Sequence, residues 1–460
     1  MPKKEREKQM VRQLGTLAGK TILKMENALH KDGSTFPGKF VIKEFPGWLS
    51  KLSYPDEVIM VTGSSGKGST TAIIAELLRR SGRTVCHNLE GSNMIRGIAS
   101  TMVKHVTWDG RIPEDAIVLE VDERYLKEVT KYIHPSLVIV NNVTRDQPPR
   151  QGHFDLVAAE IWKGIPEDTV LLVSGDDPVT ARLAERHRGT VRTFGIEQFD
   201  ESYVTLPTAV KDSVYCPRCG KHMNYRYFQY GSVGGFSCPS CDFERETPDY
   251  TITEVDPEEK KITINGMLTL PVDAMLLFHL YNLAAAYGAA DILGIPKDVT
   301  ADVLREQKLS DKIYSEVETP DRKFVSISCK AENNATYNLA HYYTHHRPGK
   351  KVLVMGVREI SRRYSHFDLS WLYDLDMEIL NRPEVERVLC IGPYAPHFAL
   401  RLSLAGFPEE KILQADTMDS LPEMLKGTEG DVYGILNFDM VEPFLAQARS
   451  FCTEEREVNA

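Results

Sequence analysis

The chain has 460 residues, 42% of them hydrophobic and 26% charged, which is enough for two or three cores rather than one. Its formal net charge of -10 excludes a general nucleic-acid binder, whose affinity comes from clustered Lys and Arg. The charged start MPKKEREKQM lacks the apolar core of a signal peptide, and no apolar run reaches the roughly 20 residues of a membrane helix, so no transmembrane segment and a cytoplasmic protein are expected.

Residues 11 to 30 space their apolar side chains as a helix does, and the turn-rich KDGSTFPGKF follows. Residues 1–55 are expected to pack as helix and loop on the domain after them. From Glu57 short apolar runs alternate with helical stretches. VIMVTG, TVCHNL, AIVLEVD, SLVIVNNV and TVLLVSGDD read as buried strands, and TTAIIAELLRRSG as a helix stopped at Gly82. This alternation predicts an α/β fold with a mostly parallel, doubly wound sheet and ligands beyond the carboxyl ends of its strands. Four cysteines interrupt the rhythm over residues 212–243. TITEVDPEEKKITING then predicts a hairpin and LLFHLYNLAAAYGAADILG a helix. The polar SDKIYSEVETPDR marks the boundary of a central domain spanning 56–310. KKVLVMG, RVLCIG and VYGILNF predict a second α/β domain over 311–460.

The stretch VIMVTGSSGKGSTTAIIAELL has a strand, then glycines, then a helix, as a phosphate site requires. Only Ser64 and Ser65 separate Gly63 from Gly66, and Gly68 stands between Lys67 and Ser69. Backbone N–H groups from Gly63 to Thr70 and the helix N-terminus offer partial positive charge to a phosphate. Lys67 is placed to lie against the β and γ phosphates, with Ser69 as the hydroxyl ligand of magnesium. The spacing G-S-S-G-K-G-S-T resembles the loop of the Mur ligase and folylpolyglutamate synthase superfamily. That resemblance implies ATP-driven conversion of a carboxylate to an acyl phosphate, which an amine then attacks.

Cys216-Pro-Arg-Cys219 and Cys238-Pro-Ser-Cys241 are two C-x-x-C pairs with 18 residues between them. Four thiolates at that spacing predict a closed tetrahedral zinc site, structural rather than catalytic, with His222 a bystander. Cys86, Cys329, Cys390 and Cys452 read as small buried apolar residues of a reducing compartment.

A four-cysteine ribbon inserted in such a core resembles the MurT family of Mur ligases. NLEGSNMIRGIAS, VLEVDERYL, NNVTRDQ, GDDP, YFQYGSVGGFSCPSCDFERETPDY and SWLYDLDMEIL extend the likeness along nearly the whole chain. The resemblance implies ATP, magnesium and structural zinc, a GatD-like glutaminase forming a heterodimer, and a glutamate carboxylate of a lipid-linked peptidoglycan peptide as acceptor. It makes Glu120 the first magnesium ligand, with Asp122 and Glu123 as rivals. Arg145, Asp146, Gln147, Asp176 and Asp177 become nucleotide- or metal-side positions. Asn282 matches the second of two adenine-contacting asparagines, and His279 replaces the first. Asp374 or Asp368 would stand beside the partner's Cys–His pair and orient its histidine, as the third member of a triad does. The chain departs from the family pattern after R-D-Q, at SDKIYSEV, at KAENNA and at ILNFDM. A second reading is therefore a stand-alone Mur-type ligase that adds an amino acid to a murein or pseudomurein peptide or to polyglutamate.

Overall fold

The computed structural model describes residues 3–29, 35–88, 92–146, 153–205, 212–359 and 368–458. Its first element is a helix, Lys3–Ala28. Two glycines let that helix approach its neighbours. A Cβ on Gly15 would stand 2.4 Å from Trp48, and one on Gly19 would stand 2.8 Å from Val103. Trp48 is fully buried beneath it and donates its indole N–H to Arg12 O and Thr16 Oγ1, both at 3.2 Å.

The central sheet takes nine strands. They are β1 Glu57–Thr62, β2 Val85–His87, β3 Ala116–Glu120, β4 Leu137–Val140, β5 Val170–Ser174, β6 Val191–Ile196, β9 Tyr250–Asp256, β10 Lys261–Ile264 and β11 Leu268–Pro271, with the hairpin β7 Asn224–Tyr230 and β8 Val233–Ser237 outside it. Its order is β11-β10-β9-β6-β5-β4-β1-β3-β2, parallel from β2 to β9 and antiparallel in the last two pairs. The middle strands are apolar at every interior position, with polar residues only at their ends, because helices cover both faces. After β1 the chain builds β2 and β3 on one side and then places β4 on the other. The β1–β4 junction is thus a topological switch point, where ligand crevices open.

The second sheet is formed by β12 Tyr314–Glu318, β13 Lys323–Cys329, β14 Lys351–Gly356, β15 Val385–Ile391, β16 Ile412–Ala415 and β17 Asp431–Asn437, in the order β12-β13-β17-β14-β15-β16. Only β12 runs antiparallel. Its strands β12, β13 and β16 escape a sequence reading. In YSEVE the alternating charges belong to a half-exposed edge strand, so the segment reads as polar linker. Cys86, Cys329 and Cys390 are buried, but Cys452 is exposed near the end of the last helix, Phe438–Val458, and corrects the expectation for that residue.

Candidate active site

The phosphate loop joins β1 to the helix Lys67–Arg80. Glycine is required twice in it. Gly63 has φ +128°, and a Cβ there would meet Asn142 O at 2.8 Å. Gly66 has φ +80°, and its Cβ would meet Asn282 Oδ1 at 2.3 Å. Both positions are left-handed and crowded, so any side chain would displace the loop. The crowding comes from a clamp of asparagines. Asn142 Oδ1 accepts from Ser65 N at 3.0 Å and its main-chain O from Ser64 N at 3.0 Å. Asn141 Nδ2 donates to Thr70 Oγ1 at 3.0 Å, which in turn donates to Asn282 Oδ1 at 3.2 Å. Asn141 and Asn142 follow β4 across the switch point. In the sequence nothing gives them this role beyond their position just past a strand end.

Lys67 is buried, and its ammonium lies 3.0 Å from Glu123 Oε1 and donates to Gly63 O. Burial opposes its charge. Glu123, Asp146 and Glu120 outweigh burial and hold the lysine above its ordinary value. Burial raises Glu123 in turn, against the pull of Lys67. The pair is a fixed positive charge at the loop with its counter-charge behind it.

Beyond the loop opens a cavity of about 470 Å³ whose lining includes Gly66, Gly68, Ser69, Glu120 and His279 and the segment 307–310. Glu120 is fixed at the end of β3. Its N–H donates to Asn88 Oδ1 at 2.8 Å, and its Oε1 accepts from Asn93 Nδ2 at 2.8 Å. Glu120 Oε2 stands over Gly68, 3.1 Å from where a Cβ would be. A hydroxyl and a carboxylate on one cavity wall are hard oxygen donors of the type magnesium takes. Asp122 is buried and accepts Arg124 N–H at 3.2 Å. His279 faces the cavity, with burial lowering its imidazole to about 4 against the opposing influence of Asp273. It is therefore neutral at pH 7. Asn282 braces the loop instead of lining the cavity.

The remaining acids separate by location. Asp176 is fully buried and accepts Arg245 Nε at 2.7 Å, Tyr281 OH at 2.8 Å and Ile196 N–H at 2.8 Å. Asp177 caps the helix Pro178–Arg186 and accepts Val143 N–H at 2.8 Å, while burial raises it to about 6. Neither lines the cavity. Arg145 bridges to Asp212 at 2.7 Å and across to Asp374 of the second domain at 2.8 Å. Asp146 pairs with Lys330 at 2.5 Å, again between domains. Asp368 caps its own turn through Ser370 N–H at 2.8 Å. Gln147 lies outside the described residues.

The four cysteines converge from two turns, with all Sγ atoms within 4.8 Å of one another. Cys216–Cys241 and Cys219–Cys238 are separated by 3.7 and 3.5 Å. A tetrahedron with bonds of about 2.3 Å has edges of about 3.8 Å, so the set fits a zinc ion. His222 is outside the cluster.

Residues 61–216 match the Mur ligase middle domain, and residues 331–439 match the MurT ligase C-terminal domain. The chain is similar to subunit MurT of the glutamine-hydrolyzing lipid II isoglutaminyl synthase of Staphylococcus aureus (strain COL), 29% identical over 439 residues, covering 93% of this chain and 96% of that one. The same subunit of Streptococcus pneumoniae (strain ATCC BAA-255 / R6) is 26% identical over 426 residues, covering 90% and 92%. A solved pseudomurein peptide ligase type C from Methanothermus fervidus superposes with a TM-score of 0.67 at 17% identity, covering 90% of this chain and 83% of that one. MurF ligase from Thermotoga maritima in complex with ADP gives 0.61 at 16%, covering 92% and 84%. These two likenesses concern the fold.

Proposed function

We propose that this chain, an ATP-dependent ligase of the Mur ligase family with a MurT-type C-terminal domain, amidates a glutamate carboxylate of a lipid-linked peptidoglycan peptide. ATP converts the carboxylate to an acyl phosphate, and ammonia from a GatD-like glutaminase displaces the phosphate. The observation that carries this reading is the convergence of Ser69 and Glu120 on one cavity at the phosphate loop, with the buried ammonium of Lys67 held beside it by Glu123. The loop amides and Lys67 bind and orient the phosphates and stabilise charge on the transferring phosphoryl group. Magnesium held by Ser69 and Glu120 would supply Lewis-acid polarisation of the phosphate oxygens. Cys216, Cys219, Cys238 and Cys241 would hold a structural zinc that leaves no open position for chemistry. In the second domain Asp368 is the better candidate to orient the glutaminase histidine, because Asp374 is engaged by Arg145.

A second reading, the amino-acid ligase, is favoured by one feature. Glu332 of KAENNA is buried with Oε2 unpaired, and it feels the charge of Asp146. Such a carboxylate suits an incoming α-ammonium group. One assay separates the two: phosphate release from ATP with a glutamyl-peptide acceptor and either ammonium or a panel of amino acids. Turnover with ammonium alone is expected. Turnover that requires one amino acid replaces the amidation reading with the second, and no turnover with any nucleophile, with or without a glutaminase, overturns both.

A further inference from the structure

The first helix presents two opposite faces. Gly15, Thr16 and Gly19 lie buried against the domain. On the far side Met10, Leu14, Leu17 and Met25 are 54%, 47%, 51% and 59% exposed. Their spacing of three, four and eight residues puts them on one stripe. The stripe cannot be waiting for the chain's own core, because the helix is already docked by its other face.

Charge indicates what covers it. Lys3–Ala28 holds seven Lys and Arg against three Glu, while the whole chain carries -10. Arg6 and Lys24 are exposed and, 18 residues or five turns apart, lie on one line beside Leu17 at the stripe's edge. The following helix, Phe36–Glu44, packs beside the first and adds Phe36, 52% exposed, with exposed Lys39. Apolar side chains edged by basic ones make an interfacial helix rather than a spanning one. No described helix is long and apolar enough to cross a membrane.

We propose that the stripe Met10–Leu14–Leu17–Met25, with its basic flanks, docks this chain on an anionic lipid bilayer. The proposal rests on the amidation reading, in which the acceptor peptide is tethered to a lipid and has to be met at the membrane surface. The helix would lie in the interface with its apolar stripe among the acyl chains, while the cavity stays in water.

The test is co-sedimentation of the full-length chain with vesicles of phosphatidylglycerol and phosphatidylcholine in equal parts, and with phosphatidylcholine alone. The chain is expected to bind the anionic vesicles and to be released by high salt. The double variant Leu14→Gln/Leu17→Gln should bind roughly tenfold or more weakly. Arg6→Glu/Lys24→Glu should lose on the order of tenfold. Both variants should keep wild-type turnover on a soluble, lipid-free glutamyl peptide, which also shows that they fold. The proposal is overturned by absence of vesicle binding, or by variants that bind as wild type does. It is equally overturned if light scattering shows a dimer, or a complex with the glutaminase, that Leu14→Gln/Leu17→Gln dissolves. Vesicle binding is read without turnover, so failure of the amidation reading and failure of the docking are seen separately.

Discussion

At Lys67 the sequence says almost everything, because a phosphate loop is local. Strand, glycines, lysine and helix follow one another within a dozen residues, and the structure only adds the counter-charge. Lys67→Met should cost on the order of 10²–10³-fold in ATP turnover, measured by phosphate release, and should also lower the melting temperature in a thermal shift, because it strands the buried carboxylate of Glu123. Glu332 is the opposite case. Nothing local marks it, yet it is buried at φ +60°. Burial, with the nearby charges of Asp146 and Asp368, raises it to about 7 against the opposing Lys330. An acid whose folded value lies above its unfolded one binds its proton more tightly when folded. Its contribution to stability is full below the unfolded value and fades as pH rises through about 7. Wild type and Glu332→Gln should therefore melt alike near pH 5. By pH 8 the glutamine variant should melt higher, and a wild type that is as stable as the variant there would refute the assignment.

The elements divide in the same way. The C-x-x-C pairs are legible because two ligands sit on each turn, and the buried strands because their apolar runs are continuous. Asp176 is not. Its place in SGDDP looks like a nucleotide-side acid, but its partner Arg245 lies 69 residues on, past the ribbon. Pairings at that range leave no local pattern. The contact ties the ribbon to the core, since Gly234 of β8 also donates to Asp176 O at 2.9 Å. Arg245→Met should strand a buried carboxylate and cost about 3–5 kcal/mol in urea unfolding. Chelation of zinc should loosen the same element, seen as a lower melting temperature and protease cleavage within residues 212–243, with one zinc per chain released.

At the scale of the whole molecule, the two domains meet through charges that belong to motifs. Arg145 and Asp146 extend from β4, and they are met by Asp374 and Lys330 of the second domain. The bridge places the candidate acids of the second domain in two different situations. Asp374 spends its charge on closure. Asp368 spends one oxygen on capping its own turn. Neither assignment was accessible from SHFDLSWLYDLD alone, where both are acids near a short helix. Loss of Asp374 should therefore affect every reaction that needs the domains closed, whereas on the amidation proposal loss of Asp368 should affect only the step performed in the proposed glutaminase partner. With the partner present, Asp368→Asn is expected to abolish glutamine-dependent amidation and keep the ammonium-dependent rate. Asp374→Asn is expected to lower both rates together, by roughly tenfold for a partly exposed pair that positions the domains. Equal losses on both nitrogen sources for Asp368→Asn would place that residue in domain closure instead, and would return Asp374 to the partner surface.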